Sequence, residues 1–230
     1  MLTLSTSDAI TLVRKNLDEA DPNGSIMYDN ENASAAGYGD NNSMDDLIKK
    51  CLPEAINIVQ KSAPVTMLEG VDVASFSDTY LSAKTLGKVL SFTPTGVSDY
   101  LRLVAFKAAD SDIVVTDAIE EASLEGRKQL NPFIQGTYDR PRLVILKGDH
   151  TTGPKFRYYS MNPNYSDGDI GDAIETFKYV KQNTYAPATT SYSFSRLLRQ
   201  NVIDQLTAMV LQIYNDQRAQ SFLQRANIFQ

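Results

Sequence analysis

The chain has no tryptophan, a single cysteine and a single histidine among its 230 residues. One cysteine excludes an internal disulfide, and one histidine, His150, leaves no second imidazole for a histidine-rich metal site. His150 sits in the Gly-flanked turn GDHTTG and reads as a solvent-facing loop residue. No stretch approaches the roughly 18 continuous apolar residues of a membrane-spanning helix. The opening MLTLSTSDAITLVRK puts an acid before its first base and has no apolar signal core, so neither export nor membrane insertion is predicted. Walker, G-x-S-x-G and G-x-G-x-x-G patterns are all missing.

Carboxylates do cluster, but not as a site. Asp167, Asp169 and Asp172 stand in the turn-forming stretch SDGDIGD, and the neighbours Glu120 and Glu121 diverge on a helix. The Asn-rich segment Asp21 to Asn42 lacks the Asp-x-Asp-x-Asp-Gly order of a calcium loop and reads as a long loop or arm. No catalytic residue, metal ligand or cofactor-binding residue is predicted, and the sequence reads as that of a protein that is not an enzyme.

Positive charge is in short supply, with 22 Lys and Arg against 28 Asp and Glu and a formal net charge of −6. Affinity for nucleic acid comes largely from cations that replace condensed counterions, so this balance argues against a protein that wraps it. The imbalance is concentrated early. Met1 to Lys50 holds four basic and nine acidic residues, whereas Ser193 to Gln230 holds four basic and two acidic, so the two ends differ in sign.

What is present is an ordinary globular composition, 42% hydrophobic and 22% charged. The most regular stretch is Ser43 to Ala63, where Met44, Leu47, Ile48, Cys51, Leu52, Ala55, Ile56, Val59 and Ala63 form one helical stripe. Ser43 is its predicted cap, with Asp45 and Asp46 in the first turn. Pro53 removes a backbone bond at a cost of roughly 3 kcal/mol, but the apolar phase runs through it, which predicts one kinked helix. Cys51 lies on the stripe and reads as a small core residue. Ser5 to Leu17, capped by Thr6 or Ser7, predicts a short helix that packs on the first.

Ser193 to about Arg218 predicts the last large helix, with Phe194, Leu197, Leu198, Val202, Leu206, Met209, Val210 and Ile213 on one side. This is the natural partner of the Ser43 helix. Between them, 65–189 reads as β-rich. Lys84 to Phe92 and Leu101 to Lys107 predict strands, and Thr116 to Leu130 a helix whose last turn is weakened by Gly126. Pro141 to Lys147 and Lys155 to Met161 predict a long-looped hairpin, and Glu175 to Gln182 a further strand. The fold class is therefore α+β: a helical bundle from 1–64 and 190–218, an inserted small antiparallel sheet from 65–189, and an interaction tail from 219–230. In that tail Phe222, Leu223, Ile228 and Phe229 accompany Arg218 and Arg225, apolar side chains that a free end does not need.

CLPEAINIVQKSAP (Cys51 to Pro64), LEG (Leu68 to Gly70), DYLRLVAFKAADSDIVV (Asp99 to Val115), PRLVILKG (Pro141 to Gly148) and KFRYYS (Lys155 to Ser160) resemble head-to-tail connector proteins of tailed bacteriophages, nearest the neck rings of crAss-like phages of gut Bacteroidota. The likeness covers roughly residues 40 to 220. It implies a virion protein at the neck between capsid and tail, assembled in the host cytoplasm. The ring would be a dodecameric adaptor docked beneath the portal protein and carrying a further neck or tail ring below. Packaged DNA would pass its acidic lumen without sequence-specific binding. The resemblance also implies that the tail residues Arg218, Phe222, Leu223, Arg225, Ile228 and Phe229 grip the portal.

Three other readings compete. One is a different neck ring or a tail-completion protein. Another is a module for single-stranded nucleic acid, since KFRYYSM and FKYVKQNTY interleave bases with aromatics that can stack. An enzyme acting on the cell wall is the third, without a recognisable acid, base or nucleophile to support it. Twelve Tyr and nine Phe also suit surfaces that meet protein.

Overall fold

The structure, a computed structural model, describes residues 2–17, 41–84, 87–131, 133–146, 153–161 and 173–227. The arm from 21 to 40, His150, the carboxylates at 167, 169 and 172, and the tail residues Ile228 and Phe229 lie outside the described residues. In chain order the elements are β1 (Leu2–Ser5), α1 (Thr6–Asn16), α2 (Asn41–Ser62), β2 (Val71–Asp72), β3 (Phe76–Lys84), β4 (Gly87–Pro94), β5 (Tyr100–Ala108), β6 (Ala118–Glu120), α3 (Leu124–Lys128), β7 (Arg142–Leu146), β8 (Lys155–Met161), β9 (Ile174–Lys181), β10 (Ser191–Phe194), α4 (Arg199–Ile213) and α5 (Ala219–Ala226). The chain is mixed α+β. It divides into two compact units, 1–69 with 183–230 and 70–182.

In the first unit the stripe read from the sequence is buried: Met44, Ile48, Leu52, Ala55, Ile56, Val59 and Ala63 are inside, and Leu47 and Cys51 half-buried. Burial pushes the Cys51 thiol above its ordinary pKa, with Glu54 adding to the effect. The helix starts at Asn41, two residues before the expected cap, so Asp45 and Asp46 fall beyond its first turn. Asp45 instead receives two bonds from the Arg14 guanidinium, at 2.7 and 3.0 Å, tying α1 to α2. Ser5, rather than Thr6 or Ser7, caps α1 by accepting from the backbone N–H of Asp8.

The centre of this unit is α4. α1, α2 and α5 all pack on it, and from Val202 to Leu211 every side chain but the half-buried Met209 is buried. A helix covered on all sides carries apolar residues nearly all round, which Val202, Ile203, Leu206, Ala208, Val210 and Leu211 supply. α4 is shorter than the sequence predicts at both ends. Ser191 to Phe194 leave it as β10, paired antiparallel with β1 in the register Leu2 to Phe194 through Ser5 to Ser191. Its other end is closed by Asn215 at φ 55. There the Asp216 N–H returns to the Leu211 carbonyl at 3.0 Å and the Asn215 N–H to Gln212 at 3.1 Å, the bonds of a Schellman stop.

Asp204 is the one buried carboxylate on α4. Burial raises its pKa, while the Gln200 amide, which donates to it at 3.1 Å, and Arg225 pull the other way. A carboxyl whose folded pKa exceeds its unfolded value of 3.8 is more costly to fold when ionised, so its drag on stability is absent below that value and grows as pH rises through the folded pKa. Asp204→Asn keeps the acceptor for Gln200 and removes the charge. It should melt higher than the wild type at pH 7, with the difference vanishing towards pH 3 in a series of thermal melts.

The second unit holds two sheets rather than one small one. A five-stranded sheet runs β3-β4-β8-β7-β6 and a three-stranded sheet β2-β9-β5. All pairs are antiparallel except β6 with β7, which is parallel, a departure from the expected purely antiparallel insertion. β4 and β5 are consecutive strands, yet they enter different sheets. Side chains from both sheets share one core, including Leu90, Phe92, Leu143 and Phe156 from the larger and Leu103, Phe106 and Phe177 from the smaller. The alternation along β8 puts Phe156 and Tyr158 into that core, and Tyr159 joins Val89 and Val144 on the opposite face. Burial pushes the Tyr158 hydroxyl up to about 12. Phe177 and Tyr179 of β9 are likewise interior. These side chains are taken up by the core rather than displayed on a sheet face, whereas Tyr185 beyond β9 is exposed.

Candidate interaction surface

Parallel pairing dictates the most distinctive feature of this unit. Parallel neighbours need a crossover of a dozen or more residues, and the chain supplies it between β6 and β7, from Glu121 to Pro141. The expected helix from Thr116 to Leu130 is not formed as such. Ala118 to Glu120 pair with Leu143 to Ile145 as a strand, and only Leu124 to Lys128 are helical. The boundary is set by Ser123, whose hydroxyl donates to the Glu120 carbonyl at 2.6 Å and accepts from the Gly126 N–H at 3.0 Å, capping α3. Gly126 is fixed by contact, since a Cβ there would collide with the Glu120 carbonyl and the Glu121 backbone.

Beyond α3 the crossover is tied down by its own bonds. Gln129 is buried, donating from its amide to the Glu125 carbonyl at 3.2 Å and accepting from the Gly136 N–H at 2.7 Å. The Asn131 side chain accepts from the Phe133 N–H at 3.0 Å. Thr137 and Arg140 exchange backbone bonds at 3.2 and 2.9 Å, and the Tyr138 hydroxyl reaches the Asp110 carbonyl at 2.8 Å.

A segment braced in this way would be expected to bury its apolar side chains, and this one does the reverse. Phe133 is 83% exposed, Leu124 72% and Leu130 61%, with Ile134 beside them also exposed. Ile113 and Val114, in the segment that follows β5, are exposed as well. Single exposed apolar residues are normal on any surface, but four such side chains between Leu124 and Ile134, in one hydrogen-bonded stretch of chain, mark a candidate surface for meeting another molecule.

At the root of the crossover is a groove of about 590 Å³, lined by Tyr100, Leu101, Ile145, Leu146 and Pro154 with Glu120 and Glu121 among its polar members. Tyr100 stacks beside Tyr179 at 6.0 Å and packs edge-on against Phe156, and its buried hydroxyl is shifted well above the ordinary tyrosine range. The groove thus pairs an apolar floor with two carboxylates. Glu120 and Glu121, read from the sequence as a solvated helix face, stand at the end of a strand instead.

The predicted tail residues are placed differently from the expectation. Ala219 to Ala226 form α5 against α4, and Phe222 is buried there with the Arg225 guanidinium 4.0 Å over its ring. Arg218 binds the Asp216 carboxylate at 2.9 Å, and Leu223 is half-buried. Phe222 belongs to the core of its own unit and is no exposed anchor. The core stripe of α2 is buried as described above. The exposed group at Leu124, Leu130, Phe133 and Ile134 was not singled out from the sequence. Its one signal is the short apolar pair Phe133 and Ile134 set between Asn-Pro and Gln-Gly in NPFIQG, outside any periodic run.

Among the described residues no group of three or more His, Cys, Asp or Glu could hold a metal ion, and no helix is long and apolar enough to cross a membrane. Compared with known proteins, the chain matches no family model and no curated protein sequence.

Proposed function

We propose that this chain is a structural subunit of the neck of a tailed bacteriophage, an adaptor ring beneath the portal that extends the DNA channel and offers the tail a platform. The observation that carries this reading is the braced crossover with Leu124, Leu130, Phe133 and Ile134 in the open. Ordered apolar surface of that kind favours a role in being covered by protein. The resemblance of CLPEAINIVQKSAP, PRLVILKG and KFRYYS to connector proteins supplies the kind of assembly, twelve copies around an axis. In this reading the helices of the two chain ends form the bundle of each subunit, and the β-rich insertion carries the contacts between rings. A net charge of −6 suits a lumen past which DNA slides without being held. Of the aromatics in KFRYYSM and FKYVKQNTY, Phe156, Tyr158, Tyr159, Phe177 and Tyr179 are interior and Tyr185 is exposed, which favours the protein-contact reading over a stacking platform for single-stranded nucleic acid.

Native mass measurement and electron imaging of the purified chain, alone and with purified portal protein, test this. Closed rings with an axial opening that stack on the portal are expected. A chain that stays monomeric at high concentration and ignores the portal would overturn the reading.

A further inference from the structure

The corner between α4 and α5 depends on one residue. Asn215 is the only residue other than glycine with a positive φ, 55°, among the described residues. Before it Tyr214 stands at φ −91° and ψ 6°, and after it Arg218 is already helical at φ −62° and ψ −22°. Backbone bonds of the next helix start at once, from the Ala219 N–H to the Asp216 carbonyl at 3.1 Å and from the Ser221 and Phe222 N–H groups to Arg218 at 3.1 and 3.4 Å. No glycine or proline lies between Leu211 and Ala226, so no helix breaker separates α4 from α5. We propose that Asn215 is a hinge: with its φ returned to the right-handed region, α4 and α5 become one helix from Arg199 to Ala226, and α5 swings off the α4 surface it covers.

Two sets of contacts hold the folded-back form. At the corner, the Asp216 carboxylate accepts from the Arg218 N–H at 2.8 Å and from its guanidinium at 2.9 Å, whereas in a continuous helix that N–H turns to the Tyr214 carbonyl. At the far end, the Asn201 amide donates to the Ala226 carbonyl at 3.1 Å, and Ala219, Phe222 and Ala226 are buried. Swinging out gives Phe222 to water, so the folded-back form predominates in the isolated chain. The cost of a left-handed residue falls on that form alone, and Asn bears it more readily than most side chains do. The corner is therefore a balance between a local conformational cost and a short apolar contact, which is what a two-state element requires. The hinge goes beyond the ring reading and does not depend on it.

The test is a distance. Spin labels at the exposed positions Arg199 and Gln224 of the full chain, each changed to Cys in a Cys51→Ala background, lie close together when α5 is folded back, because Asn201 touches Ala226. In the extended form they stand about 38 Å apart along one helix. Asn215→Ala disfavours the left-handed backbone and favours helix, and Asp216→Ala removes the acceptor of the Arg218 N–H. Together they should give a resolved population near that distance, at least ~30-fold above that of Asn215→Gly, whose left-handed backbone carries no steric cost. Asn215→Ala alone should move the population the same way. Helix content by circular dichroism should hold, since α5 stays helical in both forms. Only short distances in the double variant would overturn the hinge. So would a broad spread of long distances with helix content lost, because α5 would then be melting rather than swinging.

Discussion

Leu206→Asp should abolish the cooperative melt of the helical unit. Leu206 is fully buried at the middle of α4, the helix on which α1, α2 and α5 all pack. An ionised carboxylate placed there has no cationic side chain among the buried residues of α4, whose polar members are Asp204, Gln205 and Thr207. A buried charge without a partner costs several kcal/mol at least, or forces the group to take up a proton. Against a typical total stability of about 5–15 kcal/mol that loss is decisive. Leu206→Ala leaves a cavity instead and should cost about 2–5 kcal/mol, enough to lower the melt without removing it. Hydrogen exchange localises the outcome. Amides of α2 and α4 should lose protection in Leu206→Asp, and a variant that retains protected α4 amides would show that the helix is not enclosed as described.

How much of this was legible in the sequence depends on the range of the interactions involved. α2 could be read residue by residue because an apolar stripe with a period of 3.6 is local, and its partnership with α4 follows from two such stripes in one chain. The hub, however, is α4. A helix buried on every side has a weaker periodic signal than one buried on one side, and Asp204, Gln205 and Thr207 blur it further. The stop at Asn215 depends on one residue adopting a left-handed conformation, which Asn tolerates but does not announce. Because that stop was not visible, Phe222 looked like part of a free end rather than the inner face of a final helix.

The β-rich part was legible as strands and not as sheets. β7 and β8 pair as a hairpin, as the runs PRLVILK and KFRYYSM suggest, and neighbours in sequence make that pairing local. The split of β4 and β5 into different sheets is a long-range choice. So is the parallel pairing of β6 with β7, which turned an apparent helix from Thr116 to Leu130 into a strand, a capped turn and five helical residues. The candidate surface is a consequence of that pairing. It could not be found without knowing that residues 121–141 are a crossover.

Phe92→Ala should be the most damaging single truncation in the β-rich unit. Its ring is fully buried and sits among four others: stacked with Phe106 at 5.3 Å and Phe156 at 5.5 Å, and edge-on to Phe76 at 5.6 Å and Phe177 at 5.9 Å. Phe106 and Phe177 come from the smaller sheet and Phe76 and Phe156 from the larger, so one ring links the two layers. Removing it leaves a cavity between sheets held apart by their other side chains. The cost should be about 3–5 kcal/mol, at the upper end because aromatic pairs add to area burial. A melt lowered by roughly 6–20 °C is expected. Phe133→Ala is the matched control, since the same atoms are removed from a side chain that is 83% exposed, and its melt should shift by less than about 0.5 kcal/mol. Were the two variants to melt alike, Phe92 could not be the link between the sheets. Were Phe133→Ala the worse of the two, its ring would be packed rather than displayed, and the candidate interaction surface would lose its central residue.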